Sequence, residues 1–325
     1  MKIGILGTGS YLPERIMTNK EFEEIVDTSD EWITTRTGIK ERRIAATDEA
    51  TSDLSYKAAL NAIENAGIDK NEIDLVIVAT STPDHQMPST AALVQNMLGI
   101  KAGGFDLEAA CSGFVYGLTT GYSFIKAGIY KKVLVVGADI FSRILDWQDR
   151  STCVLFGDGA GAVILGEVES GGYLGGDLQA DGSGGDHLIV PASGSRKPLS
   201  QEVLENRENF VKMNGREIFK FVAKVFPETV ENTIKIAGWS IEDIDLFIPH
   251  QANYRIIEYI AKKFNLPLSK FYVNLDKYAN TSAATIPIAL DEANRKGKLK
   301  KGDKLMLVGF GGGLTYGSCA LEWSK

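Results

Sequence analysis

Cysteine and histidine are scarce in this chain, at three residues each in 325. Cys111, Cys153 and Cys319 form no CxxC pair and no metal-ligand spacing, so neither a disulfide framework nor a metal site is expected. Long hydrophobic runs are also missing. Val133–Gly137 and Leu305–Phe310 suit buried strands and fall far short of the ~20 residues that span a bilayer. No small-residue cleavage site follows Met1–Gly7, so no signal peptide is read there, and a cytoplasmic setting with no membrane partner is expected. There is no excess of basic residues. A formal charge of −7 argues against nucleic acid as a partner. There is no low-complexity tract. What remains is 44% hydrophobic and 24% charged residues, the balance of a globular protein.

What the chain does have is a repeat. Ala66-Gly67 followed by Ile73-Asp74-Leu75-Val76-Ile77-Val78 is answered by Ala237-Gly238 and Ile244-Asp245-Leu246-Phe247-Ile248. Val133–Gly137 is answered by Lys304–Gly309. Repetition on this scale means one architectural unit used twice, with halves at 1–170 and 171–325. The copies differ at telling places. Ala110-Cys111-Ser112 in the first faces Ala279-Asn280-Thr281 in the second, and His250 stands where the first copy has Ala79. Equivalent positions of two such halves meet near a pseudo-twofold axis, where a Cys, a His and an Asn can converge.

Apolar runs alternate with amphipathic stretches, the pattern of βαβ units and a mainly parallel sheet. Strands are expected at Lys2–Gly7, Asp74–Ala79, Phe105–Ala110, Val133–Val136 and Ala160–Val168. Helices are expected from Asn19, from Thr51 to Asn65, from Ser89 to Leu98 and over Ser112–Lys126. The second copy repeats the order. Helices are expected at Ile218–Ile236, Asn253–Phe264 and Ser282–Arg295, and strands at Asp245–Ile248, Phe271–Asn274, Lys304–Val308 and Gly317–Trp323. Gly171–Gly185 reads as a linker. The first copy alone inserts Asp139–Leu155 before Gly157-Asp158-Gly159, longer than ordinary connections.

Cys111 lies between an expected strand and a helix among small neighbours, the setting of a nucleophile on a sharp turn. The helix N-terminus there should lower its pKa. Cys153 and Cys319 read as small buried hydrophobes. His250 follows a strand end, where open α/β sheets place ligand-facing residues. Asn280 precedes a helix, which is also the place of an ordinary N-cap; its equivalence to Cys111 marks it out. Gly309-Phe310-Gly311-Gly312-Gly313 lacks the GK[ST] of a phosphate loop and suits backbone N–H groups brought close to a substrate oxygen. Gly7-Thr8-Gly9 lacks the third glycine of a nicotinamide site.

Taken together, Asp30–Ile33 with Arg36-Thr37-Gly38-Ile39, Ala110–Phe114, Gly157–Ala160, His250-Gln251-Ala252-Asn253, Asn280-Thr281-Ser282 and Gly309–Gly313 resemble the thiolase-fold condensing enzymes, in particular the β-ketoacyl-[acyl-carrier-protein] synthase III family. The likeness spans essentially the whole chain. It implies a five-layered αβαβα fold of two duplicated halves with mixed, largely parallel sheets, paired as a homodimer. It also implies the initiating, decarboxylative condensation of an acyl-coenzyme A primer with malonyl-acyl carrier protein, through an acyl-cysteine and without metal or redox cofactor. By resemblance Cys111, His250 and Asn280 are catalytic, and the backbone of Cys111 and Gly312 forms an oxyanion hole. Trp32, Arg36, Thr37, Arg150 and Asn253 contact coenzyme A or pantetheine, and Met87 falls at the floor of the acyl pocket. Arg255, Lys220, Lys262 and Lys263 match the basic patch that receives the carrier protein, with Arg216 at the entrance. A condensing enzyme of a polyketide or other secondary-metabolite pathway is the near alternative. A papain-like Cys-His-Asn hydrolase shares the chain order and a Cys-to-His interval of about 130–150 residues, but its sequence context around the cysteine is missing.

Overall fold

The apolar runs become strands buried on both faces. In a computed structural model describing residues 1–325, β1 (Lys2–Tyr11), β2 (Leu75–Ala79), β3 (Gly103–Leu107), β4 (Val133–Ile140) and β5 (Asp158–Val168) form one sheet, ordered β1-β5-β4-β2-β3. A second sheet holds β6 (Gly172–Ala180), β7 (Leu246–Pro249), β8 (Lys304–Gly311) and β9 (Thr315–Glu322), ordered β7-β8-β9-β6. β2 pairs parallel with β3 and β4, while β5 runs antiparallel to both β4 and β1. The second sheet repeats this wiring: β7 is parallel to β8, and β9 is antiparallel to β8 and β6. Only β5 in one sheet and β9 in the other run against the rest. Every strand of the first sheet precedes Gly171.

Helices fill the remaining layers. α1 (Asp30–Thr37) lies apart, over the rim of the site. α2 (Thr51–Ala66) and α3 (Thr90–Leu98) cover the outer face of the first sheet. α4 (Gly113–Lys126) lies between the sheets. A short α5 (Arg150–Cys153) ends the insertion, and α6 (Gly215–Ala237) and α7 (Tyr254–Lys263) cover the outer face of the second sheet. α8 (Thr285–Arg295) joins α4 in the central layer. The strands alternate accordingly. Leu75, Ile77, Val133, Val135, Leu305 and Leu307 face the central layer. Val76, Val78, Leu134 and Val136 face α2 and α3, and Met306 and Val308 face α6 and α7. Two covered faces explain why these segments read as continuous apolar runs rather than as alternations. No helix is long and apolar enough to cross a membrane.

Several expectations are corrected. The Gly171–Gly185 stretch is no linker: Gly171 and Gly172, both at positive φ, make a turn into β6, the edge strand beside β9. β1 does not stop at Gly7 but continues to Tyr11. Its glycines admit α2, since a Cβ on Gly9 would lie 2.2 Å from the Ala62 backbone nitrogen. The strand expected over Phe271–Asn274 shrinks to one bridge, Phe271 with Phe247. There the Gln251 side chain replaces the ladder, donating to Tyr272 O at 3.0 Å and accepting from Asn274 N at 3.1 Å. The helices expected from Ser112 and Ser282 begin instead with 3-10 turns, Ala110–Ser112 and Ser282–Ala284.

The insertion of the first copy is anchored at its middle by Asp146, buried and paired with Arg207 and Lys212. Those cations hold its carboxyl well below the usual carboxylate range. At its far end, Asn280 N donates to Leu155 O and Gly157 N to Asn280 O, both at 3.0 Å. The extra segment of one half thus braces a candidate site residue of the other.

Candidate active site

The two turns that differ between the copies share a strained backbone. Ala110, before Cys111, has φ 45°, and Ala279, before Asn280, has φ 56°. Non-glycine residues in such regions cost about 1–3 kcal/mol each and persist where the surroundings over-determine them. Here the surroundings are the central layer and the glycine segment ending β8. Ser112 Oγ and Thr315 Oγ1 lie 2.8 Å apart and both reach Ala109 O at 2.7 Å, tying the Cys111 turn to the start of β9. Gly311 lies directly against Cys111: a Cβ on it would meet Cys111 N at 2.6 Å and Cys111 Cβ at 2.9 Å.

Cys111, His250 and Asn280 all line one cavity of about 550 Å³. The strand end of β7 delivers His250, the turn before α8 delivers Asn280, and the turn before α4 delivers Cys111. All three are buried, whereas Arg36, Arg216 and Arg255 of the same wall are exposed and mark its outer end. A second cavity of about 280 Å³ also touches Cys111, and none of the three arginines lines it. Phe141, Ile144, Leu188, Val190 and Val211 give it apolar walls, with Ser81 and Glu108 as polar members. Cys111 therefore stands at the junction of a polar-mouthed tunnel and an apolar chamber. The chamber had no signature in the sequence, because six separate segments supply it.

The polar groups around the junction are oriented by short contacts. Asn280 Oδ1 accepts from Ser282 N at 2.8 Å, which leaves the Nδ2 amine as the free end of the amide. His250 Nδ1 lies 2.7 Å from Thr285 Oγ1, and Phe310 packs edge-on to the imidazole with centroids 5.0 Å apart. Burial pushes the His250 pKa down to about 3, so the ring is neutral at physiological pH. Burial pushes the Cys111 thiol up to about 12, opposed by the Ser282 hydroxyl. The low thiol pKa expected from the helix N-terminus is thus not found in the free protein: desolvation of the thiolate outweighs it.

At the outer end, Trp32 of α1 lies under two guanidinium groups. Arg150 sits 5.0 Å and Arg36 5.8 Å from its ring centroid. Arg150 is also held by Asp27 O at 2.6 Å. Asn253 caps α7, accepting from Arg255 N at 2.9 Å and donating to Arg36 O at 3.3 Å. One expected contact falls away. Thr37 is buried, donates its hydroxyl to Ile33 O at 2.6 Å and accepts from Ile39 N, so it finishes α1 and does not face the cavity. Met87 is 83% exposed and lines neither cavity of its own chain. It lies in the loop before α3, whose first turn is capped by Asp106 of the edge strand β3. Gly312 lines the second cavity. Lys220, Lys262 and Lys263 are exposed around α6 and α7, with Lys220 paired to Glu217 and Lys263 donating to Ala223 O. Beside them Phe219 and Tyr259 form an exposed edge-to-face pair, which the sequence reading missed. No group of three or more His, Cys, Asp or Glu side chains is arranged to hold a metal ion.

Residues 105–182 match the family model described as 3-oxoacyl-[acyl-carrier-protein (ACP)] synthase III, and residues 234–323 match the model of its C-terminal part. Beta-ketoacyl-[acyl-carrier-protein] synthase III of Caldanaerobacter subterraneus subsp. tengcongensis is 55% identical over 99% of this chain and 98% of its own length. The chain belongs to the 3-oxoacyl-[acyl-carrier-protein] synthase III family. The synthase III of Aquifex aeolicus superposes with a TM-score of 0.92 at 47% identity, covering 99% of this chain and 100% of that one. The priming β-ketosynthase of the R1128 polyketide pathway superposes equally well, at TM-score 0.92 and 36% identity, over 100% of this chain and 97% of its own. The fold is that of the thiolase-like synthase III enzymes, and the activity is that of a condensing acyltransferase of fatty-acid biosynthesis. Membership of this family removes the papain-like alternative.

Proposed function

We propose that the chain starts type II fatty-acid synthesis by condensing an acyl-coenzyme A primer with malonyl-acyl carrier protein. The observation that carries the reading is the position of Cys111, on the wall of both cavities with His250 and Asn280 beside it in the tunnel. A thioester reaching through the tunnel meets the thiol, and its acyl chain continues into the apolar chamber. In the first half-reaction Cys111 Sγ attacks the primer carbonyl. The new C–S bond forms, the bond to coenzyme A breaks, and the thiol proton leaves with the coenzyme A thiol. The backbone N–H groups of Cys111 and Gly312 are the donors for the oxyanion of that step.

Malonyl-acyl carrier protein then takes the tunnel. His250 and the Asn280 amine donate to its thioester oxygen. The carboxylate departs as carbon dioxide, and the electron pair it leaves is held as an enolate. The enolate carbon attacks the acyl-cysteine, breaking the bond to Cys111 Sγ and releasing 3-oxoacyl-acyl carrier protein, and the departing thiolate takes a proton from water to restore the thiol. The neutral state of His250 suits this role, because an N–H donor is needed and no proton has to be stored.

The surroundings support the partners. Trp32 with Arg36 and Arg150 offers an aromatic face and two cations to a nucleotide carrying phosphates. Arg216 and Arg255 line the mouth, and with the exposed Lys220, Lys262 and Lys263 of α6 and α7 and the Phe219–Tyr259 pair they suit an acidic carrier protein. β3 leaves one edge of the first sheet unpaired, a surface on which a second copy can add its own strand, and this supports a homodimer. The three cysteines are unpaired and buried, in keeping with a cytoplasmic setting. A chamber of about 280 Å³ exceeds what an acetyl group fills, so short straight or branched acyl primers are expected beside acetyl. The structural likeness to a polyketide priming ketosynthase keeps a secondary-metabolic starter role as the second reading. A panel of acyl-coenzyme A primers assayed with malonyl-acyl carrier protein tests both. Turnover of short primers into 3-oxoacyl-acyl carrier protein supports the reading. Primer hydrolysis without carbon–carbon bond formation overturns it.

A further inference from the structure

We propose that Thr285 is a positioning residue that holds His250 as the Nε2–H tautomer, so that the only N–H of its ring faces the tunnel. The proposal rests on the reading of His250 as a hydrogen-bond donor to the malonyl thioester. A neutral imidazole carries one N–H, and the partner of one nitrogen decides which nitrogen bears it. Here that partner is a hydroxyl, His250 Nδ1 to Thr285 Oγ1 at 2.7 Å, with both residues buried. Nε2 has no protein partner, and His250 lines the tunnel.

Two arrangements fit the contact. Either Thr285 donates to Nδ1 and Nε2 carries the proton, or Nδ1–H donates to Thr285, whose own proton turns to Ser282 O at 3.1 Å. Three observations favour the first. The contact to Nδ1 is the shorter of the two, at 2.7 against 3.1 Å. Ser282 O already accepts the Thr285 backbone N–H that closes the 3-10 turn, so it does not depend on the hydroxyl. An imidazole nitrogen is also a stronger acceptor than an amide carbonyl. The opposite tautomer would aim a lone pair at the oxygen on which negative charge develops.

The same short segment treats Asn280 alike. Ser282 N occupies Asn280 Oδ1 and turns the amine outward, as the Thr285 hydroxyl occupies Nδ1 and turns Nε2–H outward. Asn280–Thr285 thereby sets two donors of one polarity on one wall. Removing the hydroxyl leaves both residues in place but frees the ring to carry its proton on either nitrogen.

The test uses the full-length protein labelled with 15N-histidine. Three histidines give few resonances, and the His250 signals are those lost in a His250→Asn variant. A protonated, pyrrole-type Nε2 and an unprotonated Nδ1 are expected, and Nδ1–H in the parent overturns the proposal. This readout does not depend on turnover, so it stands or falls apart from the functional reading. Thr285→Val should raise the Nδ1–H population and lower the condensation kcat by about 10- to 100-fold, less than the ~10²–10³-fold cost of deleting an oxyanion donor outright. Its KM for malonyl-acyl carrier protein and its rate of Cys111 acylation should stay within about threefold of the parent, as for a group felt mainly in the transition state. Thr285→Ser should restore tautomer and kcat together. Parental condensation by Thr285→Val, or equal loss of acylation and condensation with no tautomer change, refutes the assignment.

Discussion

Replacing Gly311 by alanine adds one methyl group at the tightest point of the proposed site. The Gly311 φ is −171°, extended backbone open to any residue, so the substitution introduces no backbone strain. What it introduces is a collision. The new Cβ would lie 2.6 Å from Cys111 N and 2.9 Å from Cys111 Cβ, where ordinary contacts start near 3.4 Å. The first neighbour is backbone and cannot rotate away, so the Cys111 turn or the β8 end must move by close to an ångström. Overpacking of this kind costs about 1–3 kcal/mol of stability. A displacement of about 1 Å at reacting atoms costs on the order of 10²-fold in rate. The expected result is a folded Gly311→Ala protein with a modestly lowered Tm and Cys111 acylation slowed by about 10²-fold. Transfer of radiolabel from a short acyl-coenzyme A in single-turnover reactions measures the rate. Gly67→Ala is the control: φ is +65° there and nothing lies within 4 Å of the new Cβ, so Tm should fall while acylation does not. Parental acylation by Gly311→Ala with an unchanged Tm would show that the glycine segment does not press on the nucleophile.

Asn280→Ala should retain acylation of Cys111 and lose condensation by about 10²–10³-fold, the cost of one oxyanion donor; loss of acylation with intact decarboxylation, followed as released carbon dioxide, would reverse the division of labour. Arg255→Glu should raise the KM for malonyl-acyl carrier protein and leave acylation by coenzyme A thioesters largely intact, which steady-state kinetics with the two substrates varied separately will read. The buried His250 adds an acid limb to stability. Its folded pKa of about 3 lies below the ordinary ~6.5, so the unfolded chain binds more protons between these values. Stability is therefore full above about pH 6.5 and falls with pH below it, by up to about 1.4 kcal/mol per unit from this group. Denaturant midpoints for the parent and His250→Asn should converge as pH drops from 7 to 4, and curves that run parallel would contradict the buried neutral ring.

The architecture was legible because it is written twice. The apolar runs at Leu75–Ala79, Val133–Ile140 and Lys304–Gly311 lie between covered faces, so burial on both sides leaves an unbroken signature. Cys111, His250 and Asn280 were found as mismatches within the repeat, at strand ends and helix starts where topology concentrates ligand-facing groups. Glycine misled the reading in two places. At Gly9, beyond the expected strand end at Gly7, it marks a helix packed close on a continuing strand, and at Gly171–Gly172, in the expected linker, a turn into an edge strand. Thr37 was misread because motif membership does not reveal that a hydroxyl will close its own helix. Thr285 was missed for a different reason. Its contact with His250 joins residues 35 positions apart through the central layer, and no local pattern encodes it. The pKa of Cys111 also lay beyond the sequence: a helix N-terminus is visible there, but the desolvation that opposes it depends on the packed surroundings.

Peptide mapping after exposure to a short acyl-coenzyme A, followed by a chase with malonyl-acyl carrier protein, tests the central claim most directly. The account predicts an acyl group on Cys111 alone, stable until the chase and then discharged as 3-oxoacyl-acyl carrier protein with carbon dioxide. An acyl group on another residue, or an acyl-Cys111 that the chase releases only as free acid, would contradict it.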